Sequence, residues 1–95
     1  MMHTRQERFV AHVHGRVQGV GYRAFVYDLA GELGVVGSVQ NCRDGSVRVE
    51  AEGPREVLDR LLRLIQEGPP AARVTRVTEE WGDPRGLTRF TILPT

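Results

Sequence analysis

The sequence predicts an α/β (α+β) two-layer sandwich, in which two helices cover one face of an antiparallel sheet. Hydrophobic residues recur at every second position in several short segments, as in strands with one buried face, and with helical spacing in two longer segments. Glycines and prolines separate these segments. The length of 95 residues fits a single domain spanning 1–95 with one modest core.

The first strand is predicted over residues 8–14, after a frayed tail at residues 1–7. Phe9, Ala11 and Val13 alternate there with other residues, which is the pattern of a strand with one buried face. This segment is therefore expected to begin the sheet.

The first helix is predicted from Tyr22 to Leu33. Val26 and Leu29 fall on the same face as the two terminal residues, so the segment carries one hydrophobic stripe. Gly34 follows directly and suits the left-handed conformation that commonly ends a helix.

Two further strands are predicted at residues 35–42 and 46–52, joined as a hairpin. Asp44 and Gly45 lie between them, and Asp-Gly is a strong hairpin signal because tight turns need positive φ angles. The hydrophobic residues of the second strand alternate as expected for one buried face: Val47, Val49 and Ala51.

The second helix is predicted to begin near Pro54, since proline suits the first turn of a helix. Gly68 and the two prolines after it end the segment. Its hydrophobic positions form the clearest helical stripe in the chain: Val57, Leu58, Leu61, Leu62 and Ile65.

The remaining strands are predicted at residues 72–81 and around Phe90 and Ile92. Val74 and Val77 are out of phase for strict alternation, so a bulge or a change of face is expected in the longer strand. The resulting order, βαββαβ with a small terminal strand, is the split βαβ or ferredoxin-like arrangement. Because that arrangement hosts enzymes, RNA-binding proteins and regulatory modules, the function has to be inferred from a site.

Composition narrows the classes of function. Thirteen basic residues, all arginine, against twelve acidic ones leave a formal charge of +1, so we expect no nucleic-acid partner. No hydrophobic run reaches the ~18 residues of a membrane span, so no membrane partner is expected either. Cys42 is the single cysteine and cannot form an internal disulfide, and the polar residues 1–8 do not resemble a signal peptide. A cytoplasmic location is therefore expected.

The most informative segment is the glycine-rich loop (residues 15–21), which connects the first strand to the first helix. Gly15, Gly19 and Gly21 allow the backbone to curl around a ligand. The first N–H groups of a helix have no internal partner, so an anion can collect several of them. Arg23 lies in the first helical turn, where its planar guanidinium can contact two phosphate oxygens at once. Loop and arginine together predict an anion site.

Other residues invite competing interpretations. His12 and His14 share one strand face and could form a metal pair, but no third ligand is evident, so they are interpreted as surface histidines. Cys42 could be a nucleophile, yet it points away from Asn41 and has no histidine partner near it in sequence. Tyr22 is interpreted as a core residue. An RNA-binding sheet would need aromatic residues on its central strands, and residues 46–52 contain none.

Two segments resemble the acylphosphatase family. Residues 13–23, VHGRVQGVGYR, are similar to its signature Gly-x-Val-Gln-Gly-Val-x-aromatic-Arg, and the segment GVVGSVQNCRDGSV from Gly34 is similar to its Leu-Gly-x-x-Gly-x-Val-x-Asn strand and hairpin. The resemblance extends over essentially the whole chain and includes the order of elements. One departure is the ending Leu93-Pro94-Thr95, where members of the family often finish with a basic and an aromatic residue.

The resemblance implies an enzyme that hydrolyses the carboxyl–phosphate bond of small acyl phosphates, as a monomer and without metal or cofactor. The alternative is a module of the same type that binds phosphate or another anion without turnover, as in the amino-terminal domain of hydrogenase-maturation carbamoyltransferases. The resemblance implies two catalytic residues, Arg23 and Asn41, with Asn41 orienting the attacking water. The residues implied to bind the substrate phosphate are Gly15, Arg16, Val17, Gln18, Gly19, Val20 and Arg23.

Overall fold

The computed structural model describes residues 5–95. Two helices pack on one face of a five-stranded sheet, which confirms the predicted two-layer α+β sandwich of ferredoxin-like order. Neither helix in this range is long and apolar enough to cross a membrane. In chain order the elements are β1 (Gln6–Arg16), α1 (Tyr22–Leu33), β2 (Val36–Asn41), β3 (Val47–Pro54), α2 (Arg55–Glu67), β4 (Arg73–Gly82) and β5 (Phe90–Leu93).

The sheet has the strand order β4-β1-β3-β2-β5 and is antiparallel, as predicted, except at the small terminal strand, which makes the sheet mixed. Every neighbouring pair is antiparallel except β2 and β5, which run parallel. The reason is the path of residues 83–89, which carry the chain from the β4 edge to the opposite edge. Because β5 starts at the end of the sheet where β4 stops, β5 runs opposite to β4 and alongside β2.

The hydrophobic core lies between the sheet and the two helices. It combines the alternating inward residues of the strands with the stripes of α1 and α2. Tyr22, 1% exposed, also links the helices, because its hydroxyl donates a 2.7 Å hydrogen bond to the backbone oxygen of Ile65. Burial raises the pKa of Tyr22, so this hydroxyl stays protonated and keeps donating. The interpretation of Tyr22 as a core residue is confirmed.

β1 begins earlier than predicted. Gln6 and Glu7 pair with Pro54 and Gly53, so the last two residues of the expected tail belong to the sheet. The physical reason is that β3 continues to Pro54 and offers them backbone partners. Residues 1–4, the start of that tail, lie outside the described residues.

The irregularity expected in β4 is present as a bulge. His14 of β1 pairs with Arg76, whereas the next residue, Gly15, pairs with Val74, so Thr75 is the extra residue. Gly15 has a φ of 124°, and a Cβ there would lie 2.1 Å from the backbone oxygen of Arg73. Only glycine fits this close approach, which lies where β1 leads into the glycine-rich loop.

Candidate functional site

The glycine-rich loop presents its backbone rather than side chains at the start of α1. Gly19 and Gly21 have positive φ angles of 73° and 79°, and no atom lies within 4 Å of the Cβ position of either. Within the described part of the chain, no N–H group of residues 17–21 donates a hydrogen bond. A run of N–H donors without protein partners is therefore available to a ligand.

No side chain of residues 5–95 caps the N-terminus of α1, and its first turn contains no acidic residue. Its first internal hydrogen bond joins the Phe25 N–H to the Gly21 oxygen over 3.1 Å, so the N–H groups of the preceding residues have no partner within the helix. The helix dipole adds roughly +0.5 charge at this end. An anion placed here meets both the loop amides and the helix N-terminus.

Arg23 is the second residue of α1 and is half-buried. Its guanidinium forms no ion pair with a carboxylate in residues 5–95. It lines a depression of about 220 Å³ whose other walls come from the glycine-rich loop, α1 and the last strand. The structure therefore brings Arg23 and the loop together around one concave surface.

Ile92 of β5 lines the same depression and was not assigned to the site by sequence analysis. It is 40% exposed, one of two large hydrophobic side chains exposed among the described residues. The other is Tyr27, which packs edge-on against Phe90 with ring centroids 6.3 Å apart. No local pattern marks Ile92, because its placement depends on the parallel pairing of β5 with β2.

Asn41 is the last residue of β2 and pairs with Val47 of β3. It lies two residues after Val39, which is fully buried, so both residues face the helix layer. Its Oδ1 atom is buried and accepts no hydrogen bond from any residue between 5 and 95. A buried acceptor of this kind costs free energy unless a water or a ligand donates to it. The Oδ1 atom of Asn41 is therefore an acceptor that residues 5–95 leave open to a water or a ligand.

Several hydrogen bonds define the turn after Asn41. The Oδ1 atom of Asp44 accepts hydrogen bonds from the Ser46 N–H at 2.9 Å and from the Ser46 hydroxyl at 2.6 Å. The Cys42 N–H donates to the Ser46 oxygen at 2.8 Å, and Gly45 takes a φ of 92°. The two bonds from Ser46, the hydroxyl first, hold the pKa of Asp44 below its usual value. The predicted Asp-Gly hairpin is confirmed.

Gln18 links the glycine-rich loop to this hairpin. Its Nε2 atom donates to the backbone oxygen of Cys42 at 2.8 Å and to that of Ser46 at 2.9 Å. The Gln18 side chain is thus engaged with the protein, although the sequence analysis had placed this residue among those that bind phosphate. Its backbone N–H remains without a protein partner in the described chain.

The other candidates lie elsewhere or lack partners. His12 and His14 alternate with buried residues of β1 and face the side of the sheet without helices. In residues 5–95 no group of three or more His, Cys, Asp or Glu side chains is arranged to hold a metal ion. Cys42 is a partly buried free thiol. The tail passes close to Asn41, since Gln40 Nε2 donates to the Pro94 oxygen at 2.8 Å.

Comparison with known proteins shows the family to which the chain belongs. The acylphosphatase family model matches residues 9–92. A protein named acylphosphatase from Thermus thermophilus is 52% identical over 83 residues, which cover 87% of this chain and 94% of that protein. Another from Cupriavidus metallidurans is 48% identical over 94 residues, 99% of each chain.

Solved structures give the same result. The crystal structure of acylphosphatase from Bacillus subtilis has a TM-score of 0.89 and 35% identity, with 92% of this chain and 98% of that chain covered. Full-length HypF in a phosphate- and nucleotide-bound form has a TM-score of 0.87 and 26% identity, but this chain covers only 12% of it. The small single-domain proteins therefore match over nearly their whole length, whereas HypF matches over one part.

Proposed function

The chain belongs to the acylphosphatase family, and on that premise we propose that Arg23 and the glycine-rich loop bind the phosphoryl group of an acyl phosphate while Asn41 orients the attacking water. The reaction is the hydrolysis of a carboxyl–phosphate bond, with a carboxylate and inorganic phosphate as products. The observation that carries the assignment of residues is the buried Oδ1 of Asn41, which has no hydrogen-bond partner among residues 5–95 and lies on the face of β2 that meets the helix layer.

Phosphate binding is supported by the donors around the loop. The backbone N–H groups of residues 17–20, which donate to no atom of the described chain, would cradle the phosphate oxygens, with a left-handed Gly19 curving the chain. Arg23 has no carboxylate to compete for its guanidinium in the described chain, so it can make two parallel hydrogen bonds to the phosphoryl group. These donors stay in place as charge shifts during phosphoryl transfer.

The attacking water needs an acceptor that does not repel the phosphate. The Asn41 amide meets that need, because it is neutral and its Oδ1 can accept one O–H of the water. The water oxygen forms the new bond to phosphorus, and the acyl oxygen leaves with the electron pair of the broken bond. The water's second proton passes to a phosphate oxygen of the substrate, so no protein base is required.

The leaving group explains why the site can work without a general acid. A carboxylate has a conjugate acid with a pKa of about 4, so it departs already ionised near neutral pH. Catalysis then consists of positioning and charge stabilisation.

We also propose that the enzyme acts as a cytoplasmic monomer without a nucleic-acid partner, because all the residues assigned here come from one chain with nearly balanced charge. Sedimentation at assay concentrations tests the oligomeric state.

Substitution of Asn41 tests the proposed mechanism. In Asn41→Ala we expect kcat for benzoyl phosphate to fall by roughly 10² to 10³, about the loss seen when one preorganised polar group is removed. KM should change little, because Arg23 and the loop still hold the phosphate. Gln40→Ala is the matched control, since it removes the neighbouring amide from the opposite face of β2.

Two other outcomes would contradict the assignment. If Asn41→Ala lowered the melting temperature but left kcat near normal, Asn41 would support the hairpin and not the chemistry. If the wild-type protein bound inorganic phosphate but hydrolysed no acyl phosphate, the chain would be an anion-binding module without turnover. Phosphate binding, kcat and thermal melting measured on the same samples distinguish these cases.

A further inference from the structure

We propose that Gln18 is a positioning residue whose side chain holds the glycine-rich loop at a set distance from Asn41. The inference rests on the roles proposed above for the loop and Asn41. It assigns to Gln18 a side-chain function that is separate from any contact of its backbone with phosphate.

The evidence is a pair of hydrogen bonds from one amide nitrogen. Gln18 Nε2 donates to the backbone oxygens of Cys42 and Ser46, at 2.8 Å and 2.9 Å, across sequence separations of 24 and 28 residues. Both N–H bonds of the side-chain amide are therefore used. Because Cys42 directly follows Asn41, this contact fixes the loop within one residue of the proposed water-binding group.

The acceptors belong to residues that other hydrogen bonds hold in place. Ser46 is 2% exposed, and its N–H and hydroxyl both bind Asp44. Its backbone oxygen also accepts the Cys42 N–H at 2.8 Å, and the Cys42 oxygen accepts the Gly45 N–H at 3.1 Å. Gln18 thus attaches the loop to a hairpin whose geometry several other hydrogen bonds already determine.

Beyond Gly15 and Arg16, which pair with β4, the loop needs such an attachment because its backbone N–H groups supply none within the described chain. The N–H groups of residues 17–21 make no hydrogen bonds within residues 5–95. Residues 19 and 21 are glycines, the residue type with the greatest backbone conformational freedom. Holding the loop through a side chain leaves these N–H groups free for the substrate. A displacement of ~1 Å between phosphoryl group and water can cost about 10²-fold in rate.

The chemistry of the contact requires a glutamine. Two carbonyl oxygens need two donors on one atom, which the amide nitrogen provides. Methionine has a similar length and no donor. Glutamate is nearly isosteric but would direct a negative charge at two carbonyl oxygens, whereas its protonated form could donate one hydrogen bond.

The test is a double-mutant cycle with benzoyl phosphate, using Gln18→Met, Asn41→Ala and the combined variant. In the wild-type background we expect Gln18→Met to lower kcat roughly tenfold to a hundredfold, with KM and inhibition by inorganic phosphate changing less than about threefold. In the Asn41→Ala background the same change should lower kcat less than about threefold. Gln40→Met is the matched control, because it removes a 2.8 Å amide-to-carbonyl bond that does not join the loop to the hairpin.

A second variant gives a pH signature and serves if Gln18→Met does not fold. The kcat of Gln18→Glu relative to wild type should be low near neutral pH. It should rise as the pH falls through the pKa of the new carboxyl group, which is about 4.3 in the absence of neighbours. A ratio that does not change with pH would overturn the inference.

The remaining outcomes are also decisive. Losses in kcat that multiply fully in the double variant would show that Gln18 does not act through Asn41 and would overturn the inference. A lower melting temperature with unchanged kcat would reduce Gln18 to a structural residue. If Gln18→Met has no effect while Asn41→Ala does, only this inference fails. If Asn41→Ala itself leaves kcat intact, the proposed function fails first.

Discussion

Arg23 carries a charge that no carboxylate in residues 5–95 neutralises, which makes it the clearest single-residue test of the site. Arg23→Lys keeps the charge but removes the planar pair of donors. We expect kcat/KM for an acyl phosphate to fall by about 10- to 100-fold, which corresponds to the ~1.5–3 kcal/mol of a hydrogen bond to a charged group. Folding stability should hardly change, because no ion pair is lost.

The control for that substitution is Arg43→Lys, which alters an exposed arginine on the hairpin turn. Steady-state kinetics and inhibition by inorganic phosphate should differ between the two variants. Equal activity of Arg23→Lys and the wild type would exclude a bidentate contact and leave only a requirement for positive charge.

Two glycines show that the same substitution can act in opposite directions. At Gly15 a Cβ would overlap the backbone oxygen of Arg73, and the φ of 124° is unfavourable for alanine. Gly15→Ala should therefore lower the free energy of unfolding by at least ~1–3 kcal/mol from backbone strain alone. Gly31 lies inside α1 with open space at its Cβ position, so Gly31→Ala should raise it by about 0.5–1 kcal/mol. Urea unfolding measures both.

At the level of elements, local patterns predicted the helices and the hairpin well. α1 has the predicted bounds, Tyr22–Leu33, and ends at Gly34 in the left-handed conformation with a φ of 71°. The out-of-phase valines of β4 correspond to the bulge. These features depend on neighbours within a few residues, so the sequence contains the information that determines them.

The direction of β5 could not be predicted, because it depends on contacts that are distant in sequence. Glu50 and Glu52 of β3 are each 4% exposed, although alternation predicts solvent for this face of the sheet. Glu52 accepts the N–H groups of Arg85 and Leu87, at 2.6 Å and 3.1 Å, and Glu50 binds Arg85 at 3.0 Å. These acidic residues hold the connection between β4 and β5 against the sheet.

The β2–β3 hairpin should respond to acid through Asp44. Its pKa in the folded protein lies below the ordinary value of about 3.9. The unfolded chain therefore binds more protons between these two values, so the stabilisation from Asp44 is complete above the ordinary pKa. It is lost as the pH falls through the lower folded value. The urea concentration at the unfolding midpoint of the wild type should decrease as the pH falls through this interval.

Asp44→Asn isolates that contribution, because asparagine keeps an acceptor oxygen but cannot titrate. Its stability should depend less steeply on pH than that of the wild type below about pH 4. Parallel curves for the two proteins would show that the bonds to Ser46 do not couple proton binding to folding.

For the whole molecule, we expect hydrolysis to survive exhaustive treatment with a chelator. The reason is the arrangement of donors: protein zinc sites use three or four ligands, and residues 5–95 bring no three His, Cys, Asp or Glu side chains together. Turnover of benzoyl phosphate before and after chelation is the measurement. A loss of kcat that a divalent ion restores would contradict the mechanism proposed here.

Only part of the candidate site could be predicted from the sequence. Local spacing in the sequence predicts the glycine-rich loop, the position of Arg23 and the strand face on which Asn41 lies. The structure brings the loop and Arg23 together. The partners of Gln18 depend on how the hairpin lies against the loop, and so does the lack of a partner for Asn41 Oδ1 within the described residues. Ile92 reaches the depression through strand pairing at the far edge of the sheet. Such features arise from tertiary packing, which single-residue patterns do not encode.

The bulge at Thr75 also affects whether another molecule can pair with the edge of the sheet. β4 forms one edge of the sheet over ten residues, and an edge of that length exposes backbone groups that could pair with another molecule. The bulge breaks the regular ladder, and Arg73, Arg76, Glu79 and Glu80 add exposed charges along it. The opposite edge, β5, has only four residues. We therefore expect the irregularity beside Gly15 to disfavour edge-to-edge aggregation as well.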